Sequence, residues 1–290
     1  MLRFRSMPAP SASPLRLGYF GRAGSFSHVA AVRRFPKGNL NECPTVEECF
    51  ARLESGEFTH ILVPIENASS GIITNTADQL MRLAKSEPAG GPLQIREALA
   101  MRVNLVLMSR PDTKVITKIY SHRAPFDHSR AWLQKHYPQA EQVIVESTSE
   151  GAVLASKEKG TAAIAGEQAI AQNGLKIVSK EVGSEVANQT TFVVVGAPLA
   201  HPVKPTHTNL IFELPHLAGS LVAVLQVLSR RKLNLTKILS RPIPGRFEEY
   251  RFMIEFLGAA PAKEVADALA KIGKITDFLA VIGTYPVRRI

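Results

Sequence analysis

Residues 197–205 hold three prolines in nine positions, Pro198, Pro202 and Pro205. Prolines lack a backbone donor and so cannot continue a helix or a central strand. The chain is therefore expected to pass here from one folded unit to another through a linker, residues 198–205. Before this break, short apolar runs alternate with helix-like segments. Residues 15–20, 60–65, 103–108, 143–145, 162–165 and 192–195 read as strands, and 25–35, 45–53 and 129–136 as helices. Two capping boxes, Thr45-x-x-Glu48 and Ser147-x-x-Glu150, mark helix starts. Such alternation predicts an α/β sheet with helices on both faces. After the break the order becomes strand (208–214), helix (219–231), strand (235–240), strand (250–256), helix (262–272) and strand (278–282), with Pro261 ahead of the second helix. This βαββαβ order is the ferredoxin-like split arrangement.

Composition narrows the function classes. No apolar run approaches the roughly 20 residues of a membrane span, so no membrane partner is expected. The net charge of +10 comes from Lys and Arg scattered along the chain, without a basic run interleaved with aromatics. That distribution argues against nucleic acid and for a small anionic ligand. Cys43 and Cys49 lack CxxC spacing and a histidine pair. They read as free thiols of a reducing, cytoplasmic compartment, with no metal site. Residues 1–16 contain Arg3, Arg5, Arg16, several Ser and Pro, and no acid. A flexible N-terminal extension, 1–15, is expected there rather than a transit peptide.

Four polar constellations follow β-like runs, where open α/β sheets bind ligands. In Gly21-Arg22-Ala23-Gly24-Ser25-Phe26-Ser27-His28 a glycine turn leads into a helix N-terminus, which suits an anion. The same residues would equally serve as an ordinary turn with a serine cap. Glu66-Asn67-Ala68-Ser69-Ser70-Gly71 places an acid, an amide and two hydroxyls after a buried strand, with Ser69 or Ser70 as alternative caps for a helix near Thr74. Ser121-His122-Arg123-Ala124-Pro125-Phe126-Asp127-His128 brings two histidines to a loop. Asn188-Gln189-Thr190-Thr191-Phe192 delivers an amide and hydroxyls to the run Val193–Gly196. A threonine there can relay a proton to a departing oxygen, or simply favour β structure.

In this order, with Val63-Pro64-Ile65 ahead of Glu66 and with Ser147-Thr148 between the last two stretches, the motifs resemble the bacterial prephenate dehydratase series. Residues 206–290 resemble an ACT regulatory domain, through Asn234-Leu235-Thr236-Lys237-Ile238-Leu239-Ser240-Arg241-Pro242 and the closing Gly283-Thr284-Tyr285-Pro286. The resemblance implies a catalytic region, 16–197, of two lobes like a periplasmic binding protein, with the site in the cleft. It implies loss of CO2 and water from prephenate to give phenylpyruvate in L-phenylalanine biosynthesis, a hydro-lyase reaction without a cofactor.

By the same resemblance Thr190 is the proton donor, Asn67 and Ser121 line the cleft and Glu66 orients them. Ser25, Ser27, Thr148, Asn188, Phe192, His128 and Thr191 contact the substrate. Gly219, Ser220, Leu221, Leu239, Ser240, Arg241 and Pro242 form the site of an L-phenylalanine effector, and the module implies a homodimer or homotetramer. The chain departs from the family pattern at five places. Thr191 replaces an arginine, Arg123 a proline, His128 a glutamine, Ser220 an alanine and Leu239 a glutamate. Two alternatives stay open: a prephenate decarboxylase that does not aromatise, and a non-catalytic ligand sensor.

Overall fold

A computed structural model describes residues 15–86, 93–182, 188–199, 203–259 and 262–290. Nearly all of the N-terminal extension, the middle of the proline-rich linker and Pro261 lie outside the described residues.

The first lobe is built from β1 (Arg16–Phe20), α1 (Phe26–Arg34), β2 (Asn39–Cys43), α2 (Val46–Glu54), β3 (His60–Asn67), the short β4 (Gly71–Ile72), α3 (Thr74–Leu83) and β5 (Gln94–Arg102). The chain then crosses to a second lobe: β6 (Leu105–Ser109), β7 (Lys118–Ser121), α4 (Arg123–His136), β8 (Glu141–Ile144), α5 (Thr148–Lys157), β9 (Thr161–Gly166), α6 (Ala169–Asn173) and β10 (Lys176–Ser179). It returns through β11 (Gln189–Gly196), which inserts between β5 and β3. The two crossings lie side by side, since Val103 N donates to Asn188 O at 2.8 Å and Gln189 stands opposite Arg102. The second lobe has its own sheet, in the order β10-β6-β9-β7-β8.

Helices cover both faces of the first lobe's sheet, as the alternation predicts. α1 packs on one face with Leu17, Leu62, Leu99, Phe192 and Val194. α2 and α3 pack on the other with Ile61, Val63, Ile65, Val193 and Val195. Strand β11 is buried on both faces, which its continuous valine run requires. Burying each such side chain contributes about 1.5–3 kcal/mol.

The side-chain cap of each capping box forms, with Glu150 Oε2 reaching back to Glu146 N rather than to the cap residue itself. Thr45 Oγ1 accepts from Glu48 N at 3.1 Å, and Ser147 Oγ from Glu150 N at 3.1 Å. α3 differs: its N-cap is Ile73 with no side-chain cap bond, so neither Ser69 nor Ser70 caps it. α4 begins at Arg123, six residues before the expected start, so residues 123–128 are helix rather than loop. Pro125 fits there because it falls in the first turn, whose N–H groups have no partner within the helix.

The C-terminal module comprises β12 (His207–Glu213), α7 (Ser220–Ser229), β13 (Leu235–Pro242), β14 (Tyr250–Leu257), α8 (Lys263–Ile272), β15 (Phe278–Tyr285) and a tail strand, β16 (Val287–Arg289). Its antiparallel order β13-β14-β12-β15 is the ferredoxin-like one. α7 and α8 cover one face. The other face, through Ile211, Met253, Ile282 and Tyr285, joins the core of α2 and α3.

The module does not hang from the linker. β15 meets β5 at Gly283, and β16 pairs with β5 from Val287 to Arg289, so the two sheets run into one. Arg288 Nε of the tail and Arg34 Nε of α1 both reach the buried Glu97 carboxylate, at 3.2 and 2.6 Å. Among the described residues no helix is long and apolar enough to cross a membrane.

Candidate active site between the lobes

The carboxyl ends of the parallel strands β1 and β3 carry the first lobe's polar residues. After β1, Gly21 and Gly24 take φ of +92° and +81°, the left-handed region that favours glycine. The turn's amides are largely engaged. Ala23 N donates to Glu42 Oε1 at 2.7 Å and Gly24 N to His28 Nδ1 at 3.0 Å. Ser25 is the cap of α1, its Oγ accepting from His28 N at 3.2 Å. Ser27 is buried. What this edge offers an anion is the first turn of α1, with its amides and partial positive charge.

At the end of β3, Asn67 and Thr190 stand opposite each other on adjacent strands. Asn67 Nδ2 donates to Thr190 Oγ1 and to Asn188 Oδ1, each at 2.9 Å. Its Oδ1 accepts from Ser69 N at 2.9 Å and Ser70 N at 3.2 Å. Those two backbone donors fix which end of the amide is oxygen, since a flipped amide would set donors against donors. Thr190 Oγ1 therefore receives a hydrogen bond and keeps its own proton to give. It is 8% exposed, so that proton is shielded from bulk water.

A β-bulge produces this aim. Thr191 pairs with Glu66 but Phe192 pairs with Pro64, so Ile65 is an extra residue in β3. The bulge re-phases the strand end. Asn67 then shares a face with Thr190, while Glu66 points the opposite way and meets Lys237 Nζ of the C-terminal module at 3.2 Å. Strand alternation puts Thr191 on that second face with Val193 and Val195, and Phe192 in the α1 core. Asn67, Thr190 and Asn188 are thus brought together, while Glu66 and Thr191 face the C-terminal module.

The second lobe presents the ends of the parallel pair β7 and β8 and the N-termini of α4 and α5. Ser121 is fully buried and donates to Ile164 O at 2.7 Å, which ties it inside its own sheet. His122 caps α4, its Nδ1 accepting from Ala124 N at 3.3 Å, and burial pulls its pKa below the ordinary histidine value. Thr148 opens α5 behind the Ser147 cap. Arg123 Nε lies 4.0 Å from Asp127 on its own helix and is well exposed.

Among the described residues, two side-chain hydrogen bonds join the lobes across the cleft. Ser69 Oγ lies 3.2 Å from His128 Nδ1, joining the β3–β4 turn to α4. Gln168 Nε2 donates to Gly24 O at 3.1 Å, joining the start of α6 to the glycine turn. His128, read from the sequence as a loop residue, is therefore a lobe-to-lobe contact on a helix. Gln168 belongs to none of the motifs, and nothing in its neighbourhood of sequence signals it.

The residues expected to hold an effector divide into two groups. Gly219, at φ +87°, opens α7, and Ser220 and Leu221 border a hollow closed by Leu214, Leu217, Tyr250 and Phe252. Ser240 and Pro242 lie exposed on β13. Leu239 and Arg241 turn inward: Leu239 packs on the α2–α3 core, and Arg241 Nε and Nη2 hold both oxygens of Asp78 in α3 at 2.7 Å.

The comparisons agree with this architecture. The family model for prephenate dehydratase matches residues 17–199 and that for the ACT domain residues 208–274. The bifunctional chorismate mutase/prephenate dehydratase of Neisseria gonorrhoeae is 31% identical over 278 residues, covering 94% of this chain and 75% of that one. The prephenate dehydratase of Amycolatopsis methanolica is 30% identical over 274 residues, covering 93% and 88%. Among solved structures, the prephenate dehydratase of Arthrobacter aurescens in complex with L-Phe has a TM-score of 0.83 at 27% identity, covering 94% of this chain and 90% of that one. With a match across more than half its length and the ACT module behind it, this chain belongs to the prephenate dehydratase family.

Proposed function

We propose that the chain is a prephenate dehydratase, converting prephenate to phenylpyruvate, CO2 and water in L-phenylalanine biosynthesis. The observation that carries this reading is the Asn67–Thr190 pair. A hydroxyl that accepts an amide hydrogen bond and still holds its proton is set to donate it. Threonine is too weak an acid to give up a proton unaided. The transfer is therefore concerted with departure of the substrate hydroxyl, and ring aromatisation supplies the driving force. The C–C bond to the ring carboxylate breaks, its electron pair becomes a ring double bond, and CO2 leaves. The hydroxyl departs with the Thr190 proton as water. A proton from solvent then restores the threonine, so one proton is consumed and no cofactor is needed.

The substrate is a dianion. The N-termini of α1, α4 and α5 lie along the two facing edges and supply partial positive charge. Residues 16–197 form the catalytic region and 206–290 the regulatory module, with L-phenylalanine as effector. The assembly is a homodimer or homotetramer in the cytoplasm.

The test is incubation of purified chain with prephenate, following phenylpyruvate by its absorbance in alkali and CO2 alongside. Equal release of both supports the reading. No product at several millimolar prephenate contradicts it, and CO2 without an aromatic product replaces it with non-aromatising decarboxylation.

A further inference from the structure

Lys237 belongs to the regulatory module, yet its ammonium lies between two carboxylates from different parts of the chain. It is 2.6 Å from Glu255 Oε1 on the neighbouring strand and 3.2 Å from Glu66 Oε2 at the end of β3. Its side chain is only 12% exposed and that of Glu255 5%. Glu255 is fixed further: Tyr285 Oη donates to its Oε2 at 2.5 Å, and Thr236 Oγ1 to its Oε1 at 2.7 Å. Burial works against the charge on Lys237, but the two carboxylates outweigh it and hold its pKa above the ordinary lysine value.

A second bulge makes this contact. Leu235 pairs with Phe256 and Lys237 with Glu255, so Thr236 is an extra residue in β13. It lets Leu235 pack under the module's own helices while Lys237 turns to the catalytic region. The β3 bulge aims Glu66 towards Lys237 and Asn67 towards Thr190. Glu66 and Asn67 are consecutive, so a pull on one is felt by the other. Four residues beyond Lys237, Arg241 grips Asp78. β13 thus holds both ends of the segment from Glu66 to Asp78.

The Glu66 side chain is 35% exposed, so its pair with the buried Lys237 ammonium adds little net stability once desolvation is counted. The pair does impose direction, since each charge tolerates few positions. We propose that Lys237 is a positioning residue for dehydration. By holding Glu66 it keeps the re-phased end of β3 in place, and with it the Asn67 amide against Thr190. The catalytic hydroxyl is then correctly set only while the regulatory module is docked. This rests on the dehydratase reading, but its test has an arm that does not.

The test compares Lys237→Met, Lys237→Arg, Glu66→Gln and the Lys237→Met/Glu66→Gln double variant in the full chain. Glu66→Gln breaks the contact while leaving the Lys237–Glu255 pair whole, so it stays informative if Lys237→Met folds poorly. The expected result is a kcat loss of roughly tenfold to a hundredfold in Lys237→Met and Glu66→Gln, the scale of a small misplacement. KM for prephenate stays within about threefold. Lys237→Arg recovers most of the rate, and the double variant is no worse than the poorer single one, as expected for residues acting as a unit.

The second arm is the side-chain amide resonance of Asn67 in a ¹H–¹⁵N spectrum, which should move in Glu66→Gln whether or not prephenate is turned over. An unmoved Asn67 resonance overturns the proposal. So does wild-type kcat in Glu66→Gln. A wild-type chain without phenylpyruvate formation sinks the dehydratase reading alone and leaves the resonance to decide the positioning.

Discussion

The side-chain amide of Asn67 is saturated on all sides. Its nitrogen serves Thr190 Oγ1 and Asn188 Oδ1, and its oxygen takes the backbone N–H groups of Ser69 and Ser70. Asn67→Asp keeps the shape and the turn but replaces the donor with a carboxylate. That carboxylate would draw the Thr190 proton to itself and repel a dianion. We expect kcat to fall about a hundredfold with a clear rise in KM, measured by phenylpyruvate formation.

Gly24 tests the helix N-terminus. At φ +81° an added Cβ is strained by the backbone itself, and it would lie 2.0 Å from Gln172 Oε1 of the opposite lobe. The glutamine end can swing away but the backbone strain cannot be relieved. Gly24→Ala should lose about 1 kcal/mol or more of stability in denaturant melts and raise KM more than it lowers kcat.

His60 sets an acid limit on stability. It opens β3, buried, with Nε2 2.8 Å from Ala197 O. Burial, with a smaller push from Arg96, lowers its pKa from 6.5 to about 4. The unfolded state therefore takes up a proton from about pH 6.5 downward while the folded state refuses it until about pH 4. Stability is unaffected by this group above pH 6.5 and declines between these values, by about 3 kcal/mol in all. Urea titrations at pH 7 and 4.5 should show a smaller pH-dependent loss in His60→Gln than in wild type.

Arg241 cannot grip Asp78 and reach an effector with the same two nitrogens. Both side chains are well exposed, so the pair itself is worth under about 1 kcal/mol. Asp78→Asn leaves the Lys237–Glu66 contact whole, so the rate without effector should stay close to wild type. It should shift the L-phenylalanine concentration for half-inhibition by on the order of fivefold, the lower range of allosteric couplings.

Much of this arrangement was legible in the sequence, for reasons visible residue by residue. Buried valine runs and capping boxes placed β11, α2 and α5, and the proline break separated two patterns that do fold as different architectures. β5 escaped because its sequence, rich in Ala, Leu, Glu and Met, prefers helix. It is a strand because β11 flanks it on one side and β15 and β16 on the other. The same polar signal after a strand gave Asn67, which meets Thr190 and Asn188, and Ser121, which is turned inward to Ile164. Only the sheet surrounding each one separates the two. Neither bulge leaves a mark in the sequence, and the β3 bulge decides that Asn67 joins Thr190 while Glu66 goes to Lys237. Strand alternation turns Thr191 away from the Thr190 hydroxyl, and the bulge brings Glu66 to the face where Thr191 lies.

The role of the Thr190 hydroxyl is tested most directly by Thr190→Val, which preserves shape and strand propensity and removes only the hydroxyl proposed as proton donor. Steady-state phenylpyruvate formation from prephenate should drop about a hundredfold or more in kcat, with KM changed little, while Thr190→Ser retains substantial activity. A Thr190→Val enzyme that forms phenylpyruvate at the wild-type rate would contradict the account.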